Sequence, residues 1–197
     1  VSTRGGTTAY SSSTVTLSNT VNAVNDAPVA SGSATLTAID EDTTNPSGAT
    51  VSSLFSSNFS DSTDTVSGGS SANTLAGIAI TSYTRDATKG EWQYSTNGSS
   101  WTTISSSISA ASSSLTFKST DYLRFLPAAN WNGSAPTLTV ALIDSSTTVT
   151  TNATVDVSTR GGTTAYSSST VTLSNTVNAV NDAPVASGSA TLTAIDE

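Results

Sequence analysis

The chain begins and ends with the same sequence. Residues 1–41 and residues 157–197 are identical, so the chain has a period of 157 − 1 = 156 residues and consists of one period plus 41 residues. A fixed period indicates structural units in series, and one this long is typical of whole domains rather than of short solenoid repeats. We therefore interpret the chain as a segment of a tandem array that begins and ends within a repeat. An artificial duplication of one end is the alternative.

The composition excludes several classes of function. Only 10% of the residues are charged, the formal net charge is −8, and Lys and Arg together number 6. Nucleic acids and anionic membrane surfaces are therefore poor partners, since both need a basic surface, whereas divalent cations suit the charge. The chain has no Cys, His or Met, which excludes disulfides, thiolate metal sites and Ser–His catalysis. No apolar run approaches the ~18 residues of a membrane-spanning helix.

Apolar residues alternate with polar ones along most of the chain, and this period of two predicts β-strands. Strands are predicted in residues 15–23, 34–38, 75–83, 91–95, 101–104, 115–117, 122–127 and 138–142. The sequence Asn97-Gly98 predicts a tight turn between two of them. Because no window shows a sustained helical period, the predicted fold is all-β, most simply an antiparallel β-sandwich.

The sequence VNDAPV at residues 24–29 predicts a joint between domains. Pro28 lacks an amide donor and favours an extended residue before it, so strand pairing is expected to stop there. We therefore predict that residues 1–25 are the last strand segment of a preceding repeat and residues 26–28 a linker. Residues 29–181 are then a complete domain, and residues 182–197 begin the next repeat.

Five stretches resemble the repeats of giant bacterial adhesins of the repeats-in-toxin type, whose domains are cadherin-like or Ig-like. They are VNDAPV (24–29), AIDEDTTNPSGATVSSLF (38–55), NTLAGIAIT (73–81), GEWQYSTNGSSW (90–101) and LRFLPAANWNGSAPTLTVALID (123–144). The resemblance covers essentially the whole period. It implies an Ig-like or cadherin-like β-sandwich, stiffened by Ca²⁺, in a secreted protein of the bacterial cell surface. A period of 156 residues exceeds the ~100 residues of a minimal Ig-like sandwich, so we expect an insertion or an extra subdomain.

Acidic residues next to strand ends are candidate Ca²⁺ ligands, because Ca²⁺ takes six to eight oxygen ligands and a sandwich gathers its loops at two ends. One predicted group consists of Asn25, Asp26, Asp40, Glu41, Asp42 and Asp144. Asp61 and Asp64 form a possible second site. The repeat supplies equivalents at the far joint, namely Asn181, Asp182, Asp196 and Glu197. Solvated turn residues are the alternative interpretation, because Asp and Asn are common in turns.

Four aromatic residues, Trp92, Tyr94, Trp101 and Trp131, could form a surface on which a sugar stacks. Cross-strand aromatic residues are more often part of a core, so exposure of Trp92 or Trp131 would distinguish the two roles. No enzyme is predicted. No acidic residue is flanked by an obvious apolar pocket, and no serine has a His base or lies in a Gly-x-Ser-x-Gly turn.

The predicted function is that of a structural extender that holds a distal adhesive domain away from the cell or builds a surface fibre. A glycan- or surface-binding module is the alternative. Nearly identical repeats favour the extender, because reach increases with copy number. The expected partners are adjacent repeats, with other copies of the chain in a head-to-tail arrangement as a further possibility.

The duplicated ends lead to one more prediction. Residues 14–24 and 170–180 are the same predicted strand, and one complete domain has room for only one of them at its sheet edge. We expect residues 171–180 to complete the domain that begins at Val29. Residues 1–24 would then expose an apolar face and unpaired backbone groups, and we expect them to pair with another chain or with a neighbouring repeat. Repeated without closure, such contacts produce a fibre.

Overall fold

The computed structural model describes residues 3–197, which form an all-β, sandwich-like fold. The strands are β1 Val29–Ala30, β2 Ser33–Thr35, β3 Ile39–Asp40, β4 Ala49–Thr50, β5 Phe59–Ser60, β6 Leu75–Tyr83, β7 Gly90–Ser95, β8 Thr102–Thr103, β9 Ser114–Lys118, β10 Tyr122–Pro127, β11 Gly133–Ser134, β12 Leu138–Asp144, β13 Ala153–Val155, β14 Val171–Ser174 and β15 Thr176–Asn178. One α-helix, α1, spans Val51–Phe55, and single 3-10 turns span Ser56–Asn58, Ser62–Asp64 and Ala111–Ser113.

Two larger sheets form the two layers of the sandwich. One has the strand order β13-β9-β6-β12-β14-β2, and the other has the order β4-β10-β7-β8. Two small sheets, β11-β15-β3 and β1-β5, complete the two ends of the domain. Pairing is antiparallel except where β14 meets β2 and β15 meets β3, which run parallel. The predicted strands at residues 75–83 and 122–127, and the hairpin around Asn97-Gly98, are confirmed by β6, β10 and the β7–β8 pair.

The main core lies between the two large sheets. Alternate side chains of β6 and β12 fill it from one side and those of β7 and β10 from the other. Its largest fully buried members are Trp92, Tyr83, Phe55, Phe117, Phe125, Ile78, Ile80, Leu123, Leu138, Leu142 and Leu173. Burial of these side chains is the main source of stability, at roughly 1.5–3 kcal/mol for each large apolar side chain.

A second, smaller core covers the opposite face of the six-stranded sheet. It contains Ala79, Ile143, Val149, Val157 and Ala165. Three of these residues come from the long segment between β12 and β14, which folds back over the sheet. The expected additional length is therefore used as a covering layer on the sandwich. Because both faces of β6 and β12 are covered, their sequences are almost continuously apolar.

Helix α1 was not predicted from the sequence. Thr50 caps it by accepting a hydrogen bond from the amide of Ser53 at 3.1 Å, and Val51 and Phe55 are buried one turn apart. A five-residue helix is little longer than one turn, so Val51, Leu54 and Phe55 have helical spacing without forming the sustained period that would identify a helix. In residues 3–197, no helix has the length and apolar character needed to cross a membrane.

The two identical 41-residue segments adopt complementary structures. Residues 171–178 form β14 and β15, whereas residues 14–24 form no strand. Residues 29–40 form β1, β2 and β3, whereas residues 181–197 form no strand. The predicted position of the C-terminal strand at a sheet edge is wrong. β14 lies between β12 and β2, and β15 lies between β11 and β3, so both strands are internal.

Candidate metal-binding joints

The predicted acidic residues separate into two groups at opposite ends of the domain. The chain passes from one end to the other between residues 26 and 40, along β1, β2 and β3. We name the first group the proximal cluster; it consists of Asn25, Asp26, Asp61, Asp64, Asn73 and Asp144. We name the second group the distal cluster; it consists of Asp40, Glu41, Asp42, Asn130, Asn132, Asn178 and the amide of Val180. Within one domain, therefore, Asp40–Asp42 do not lie beside Asp26 and Asp144.

The residues of the proximal cluster lie at the ends of secondary structure elements. Asp61 immediately precedes the single 3-10 turn that follows β5, Asp64 is the last residue of that turn, and Asp144 is the last residue of β12. All three carboxylates are buried, with exposed fractions of 4%, 7% and 0%. Buried carboxylates require compensating partners, because burial of an unpaired ionised group costs several kcal/mol or more.

Asn73 is the centre of the hydrogen-bond network in the proximal cluster. Its backbone amide donates to Asp61 Oδ2 at 2.6 Å, and its side-chain Nδ2 donates to Asp64 Oδ2 at 2.9 Å. The same Nδ2 donates to Asn25 Oδ1 at 2.8 Å. Asn73 therefore holds the two acidic residues of the 61–64 turn together with the incoming joint.

The joint sequence itself is docked on this cluster. The backbone amide of Asp26 donates to Asp64 Oδ1 at 2.8 Å, and Asn25 Nδ2 donates to the carbonyl of Thr164 at 3.2 Å. The amide of Ala27 donates to the carbonyl of Gly162 at 2.7 Å. These bonds fix residues 25–27 to the domain that follows them.

Within residues 3–197, no basic side chain forms an ion pair with a carboxylate of the proximal cluster. The two ion pairs within residues 3–197, Arg85–Glu91 and Lys89–Asp86, lie elsewhere on the domain. Burial raises the pKa of Asp61 above its ordinary value of 3.8, and the negative charges of Asp64 and Asp144 raise it further, against the opposing effect of the Asn73 amide. The ionised form of Asp61 is thus electrostatically unfavourable in these surroundings.

One oxygen atom of this cluster has no hydrogen-bond partner. Asp61 Oδ1 is buried and receives no donor, although buried polar atoms are nearly always paired. Carboxylate and amide oxygens are the ligands that Ca²⁺ prefers, and Asp61, Asp64, Asp144 and Asn25 supply them here. Across residues 3–197, no three acidic side chains are already arranged as a metal site. A bound cation would therefore have to draw these oxygens closer together.

The distal cluster binds the chain as it leaves the domain. Glu41, which is 6% exposed, accepts the backbone amide of Val180 on Oε1 at 2.6 Å and Nδ2 of Asn132 on Oε2 at 3.0 Å. Asp40 Oδ1 accepts from Asn178 Nδ2 at 3.1 Å, and Asp42 Oδ1 accepts the amide of Asn130 at 2.8 Å. Glu41 thus fixes the residue that immediately precedes the second joint.

The equivalents at the second joint are not docked. Asn181, Asp182, Asp196 and Glu197 are all exposed. The one side-chain hydrogen bond made by Asn181 is local, from Nδ2 to the carbonyl of Asp182 at 3.3 Å, and Asn25 makes the same bond to Asp26 at 3.1 Å. The sequence of the joint therefore sets its local conformation, while docking needs a domain on its C-terminal side.

Among the aromatic candidates, Trp92 lies in the core, Tyr94 and Trp131 pack against the core while partly exposed, and Trp101 is partly exposed. Trp92 has 0% exposure and donates from Nε1 to the carbonyl of Pro136 at 2.6 Å, so it is unable to stack on a sugar. Trp131 packs edge-on against Phe125, with ring centroids 6.2 Å apart. Tyr94 packs on Phe117 at 4.9 Å.

Trp101 pairs with a buried cation. The guanidinium of Arg124 lies 4.2 Å from the centroid of its ring. Arg124 Nε also donates to Gln93 Oε1 at 2.8 Å, and burial lowers the pKa of Arg124. These contacts give Trp101 a structural role.

Sequence reasoning missed Asn73 and the turn at residues 160–164. Asn73 precedes the buried strand β6, and an Asn before a strand is common enough to carry no special signal. Gly162 and Thr164 contribute backbone carbonyls, which any residue could supply. Comparisons with protein-family models, with curated proteins and with solved structures found no match for this chain.

Proposed function

We propose that this chain is part of a tandem array of Ig-like or cadherin-like domains that acts as a structural extender of a secreted bacterial surface adhesin. In this proposal Ca²⁺ stiffens the joints between domains, and the chain performs no catalysis. Adjacent repeats are its partners, and the array projects a distal adhesive domain or forms a surface fibre. The resemblance of five stretches to adhesin repeats supports the proposal, and the short distance between two anchoring points at each joint is the observation that carries it.

The joint is fixed on both sides. The amide of Val180 is bound by Glu41 of the preceding domain. Asp182 is equivalent to Asp26, whose amide is bound by Asp64 of the following domain. In an array, these anchored amides are two residues apart, and two residues span at most about 7 Å. Successive domains must therefore stand almost in contact.

This spacing brings acidic residues of two domains together. Glu41 of one repeat would face the equivalents of Asp61, Asp64 and Asp144 of the next repeat, around the Asn-Asp of the joint. Without a cation, these like charges repel and favour bending of the joint. With Ca²⁺ bound, the same carboxylates attract a shared ion and hold the domains in line. The chemistry of the joint therefore predicts stiffness that depends on Ca²⁺.

Thermal unfolding of this chain in Ca²⁺ and in chelator tests the proposal. A ligand that binds only the folded state stabilises it by about 2.7 kcal/mol at a hundredfold excess over its Kd. We expect the Tm to rise with Ca²⁺ and the Asp61→Asn variant to lose this rise. Asp156→Asn removes the same formal charge from an exposed turn and should keep it. An unchanged Tm of the parent chain at saturating Ca²⁺ would contradict the proposal.

The Asp61→Asn variant should also change how the Tm depends on pH when chelator removes Ca²⁺. Because the folded-state pKa of Asp61 is raised, the folded protein binds its proton more tightly than the unfolded chain does. The stability associated with this residue is therefore lost as pH rises from the ordinary value of 3.8 through the raised pKa. Asp61→Asn should remove this loss, so its Tm in chelator at neutral pH should equal or exceed that of the parent chain. A lower Tm at neutral pH would show that the ionised Asp61 is stabilising without metal.

A further inference from the structure

The strands that follow the first joint pair with the strands that precede the second joint. Residues 33–35 of β2 lie beside residues 172–174 of β14, and residues 39–40 of β3 lie beside residues 177–178 of β15. We name these two parallel pairs the parallel clamp. Both β2 and β3 are edge strands, and within residues 3–197 β14 and β15 are the strands with which they pair. The clamp therefore links the segment that enters the domain to the segment that leaves it.

The direction of the strands decides how the clamp responds to a pull on the two joints. The chain enters at the proximal cluster, and β2 and β3 run from there to the distal cluster. The strands β14 and β15 run the same way, and Glu41 in the distal cluster binds the amide of Val180 just after them. Tension between the joints thus pulls β2 and β3 towards the proximal end and β14 and β15 towards the distal end. Because the strands are pulled lengthwise in opposite directions, the bonds between them carry the load together rather than one after another.

Hydrogen bonds extend the clamp beyond the paired residues. They run from the amide of Leu36 to the carbonyl of Ser174 at 2.9 Å, from Asn175 Nδ2 to the carbonyl of Thr37 at 3.2 Å, and from the amide of Glu41 to the carbonyl of Asn178 at 2.9 Å. The bond from the buried side chain of Asn175 crosses the gap between the two parallel pairs. Since the bonds of parallel strands are evenly spaced, the clamp is a continuous ladder from residue 33 to residue 41.

Buried side chains prevent the strands of the clamp from sliding past each other. Ala34 and Leu36 are each 4% exposed, and Leu173 and Val177 on the partner strands are 0% and 2% exposed. A slip of one residue would turn these side chains away from the core. Packing therefore holds the register of the clamp in addition to the hydrogen bonds.

We propose that the parallel clamp gives this domain a load-bearing function, in which it resists tension applied through the two joints. The presence of tension rests on the proposed function, since an array that holds a distal adhesive domain away from the cell is pulled at both ends of every repeat. The resistance itself is a property of the single domain, and it requires neither Ca²⁺ nor a second repeat.

Pulling the full chain in two directions with optical tweezers tests the clamp, because the chain has no cysteine and handles attach to introduced ones. In the Ala23→Cys/Ala183→Cys variant, force enters through the two joints. In the Thr44→Cys/Ala183→Cys variant, both handles lie at the distal end, so force separates β3 from β15 one bond at a time. All three positions are exposed. In chelator, we expect the unfolding force to be severalfold higher for the first variant than for the second.

One substitution made at two positions separates the clamp from general stability. Ala34→Gly in β2 and Ala141→Gly in β12 each remove a buried methyl group from the six-stranded sheet and increase backbone freedom. We expect similar losses of stability in urea. Forced unfolding depends on the rate of unfolding rather than on equilibrium stability. With handles at residues 23 and 183, Ala34→Gly should therefore lower the unfolding force more than Ala141→Gly does.

The load-bearing function is overturned if the two pulling directions give the same unfolding force, or if Ala141→Gly lowers the force as much as Ala34→Gly. Both results are obtained in chelator, so neither counts against Ca²⁺ at the joint. Conversely, a Tm that is unchanged by Ca²⁺ contradicts the proposed function, whereas a difference in force between the two pulling directions still supports the clamp.

Discussion

Each of the two identical 41-residue segments of this chain is docked on the domain over one part and exposed over the other, and the docked part differs between the two copies. In the N-terminal copy, residues 14–24 are exposed and residues 25–40 are docked. In the C-terminal copy, residues 170–180 are docked and residues 181–197 are exposed. Conformation in these segments therefore depends on which neighbouring domain is present. Up to Val24, the sequence needs the preceding domain, and from Asn25 onward it needs the following one.

The docked residues of the two copies mark where the folding unit begins and ends. The docked residues run from Asn25 to Val180, which is 180 − 25 + 1 = 156 residues, or one period. The unit thus begins at the Asn-Asp of the joint and ends at the residue that Glu41 holds. Local turns, in contrast, form in both copies with the same hydrogen bonds, so only the strands depend on tertiary contacts.

The strongest test of this contrast makes one substitution in both copies. Leu173→Ala opens a cavity beside β12 and should lower the free energy of unfolding by about 2–5 kcal/mol. Leu17→Ala, at a residue that is 97% exposed, should change it by less than about 0.5 kcal/mol. Urea unfolding measures both values. Equal losses would show that residues 14–24 take the place of β14 beside β12 as often as residues 170–180 do.

At the joint, the N-terminal copy is the one in which a substitution should lower stability, and the expected loss is somewhat smaller than for Leu173→Ala. Asp26 belongs to the proximal cluster, where Asp64 binds its amide, whereas within residues 3–197 the only hydrogen bond of Asp182 is to the adjacent Asn181. Asp26→Ala should therefore remove much of the Ca²⁺-dependent stabilisation, which amounts to about 2.7 kcal/mol at a hundredfold excess over Kd. Asp182→Ala, the matched control, should leave it intact. Thermal unfolding with and without Ca²⁺ distinguishes the two, and a larger loss for Asp182→Ala would contradict the assignment.

The smallest effect is expected at the turn that both copies share. Gly161 has a φ of 78°, and a Cβ there would lie 3.0 Å from Cβ of Ser168. Gly161→Ala should cost about 1–2 kcal/mol, because left-handed backbone is unfavourable for an L-residue. Gly5→Ala strains the same turn in an undocked segment, so the global unfolding free energy should change by less than about 0.5 kcal/mol. An equal cost at both positions would show that residues 3–13 belong to the folding unit.

The pattern of alternation predicted the fold class and the long strands, because β6, β10 and β12 carry period-two or continuously apolar sequences that few other structures accommodate. The five-residue helix α1 and the internal position of β14 were not predictable, since both depend on tertiary contacts. Among the acidic residues, the sequence indicated the candidates but grouped them wrongly: Asp61 and Asp64 join Asn25 and Asp26, whereas Asp40–Asp42 lie at the other end of the domain. Asp40 and Asp26 are 14 residues apart, and β1, β2 and β3 carry the chain across the whole domain between them.

The role of Asn73 was equally inaccessible from the sequence. Its three hydrogen bonds to Asp61, Asp64 and Asn25 join segments that lie up to 48 residues from it. Nothing in its immediate surroundings indicates such a role. For the aromatic residues, by contrast, the sequence favoured a core position over a binding surface, and Trp92 is fully buried.

Stiffening of the joints by Ca²⁺ is tested most directly by the distance distribution between two complete successive domains, measured by single-molecule fluorescence in a chain that contains two full periods. Labels on the two domains report both the mean separation and its spread. We expect a narrow distribution at saturating Ca²⁺ that broadens in chelator, because the joint is anchored at Val180 and Asp182 and its carboxylates repel without the ion. A distribution that stays equally broad in Ca²⁺ and in chelator would contradict it.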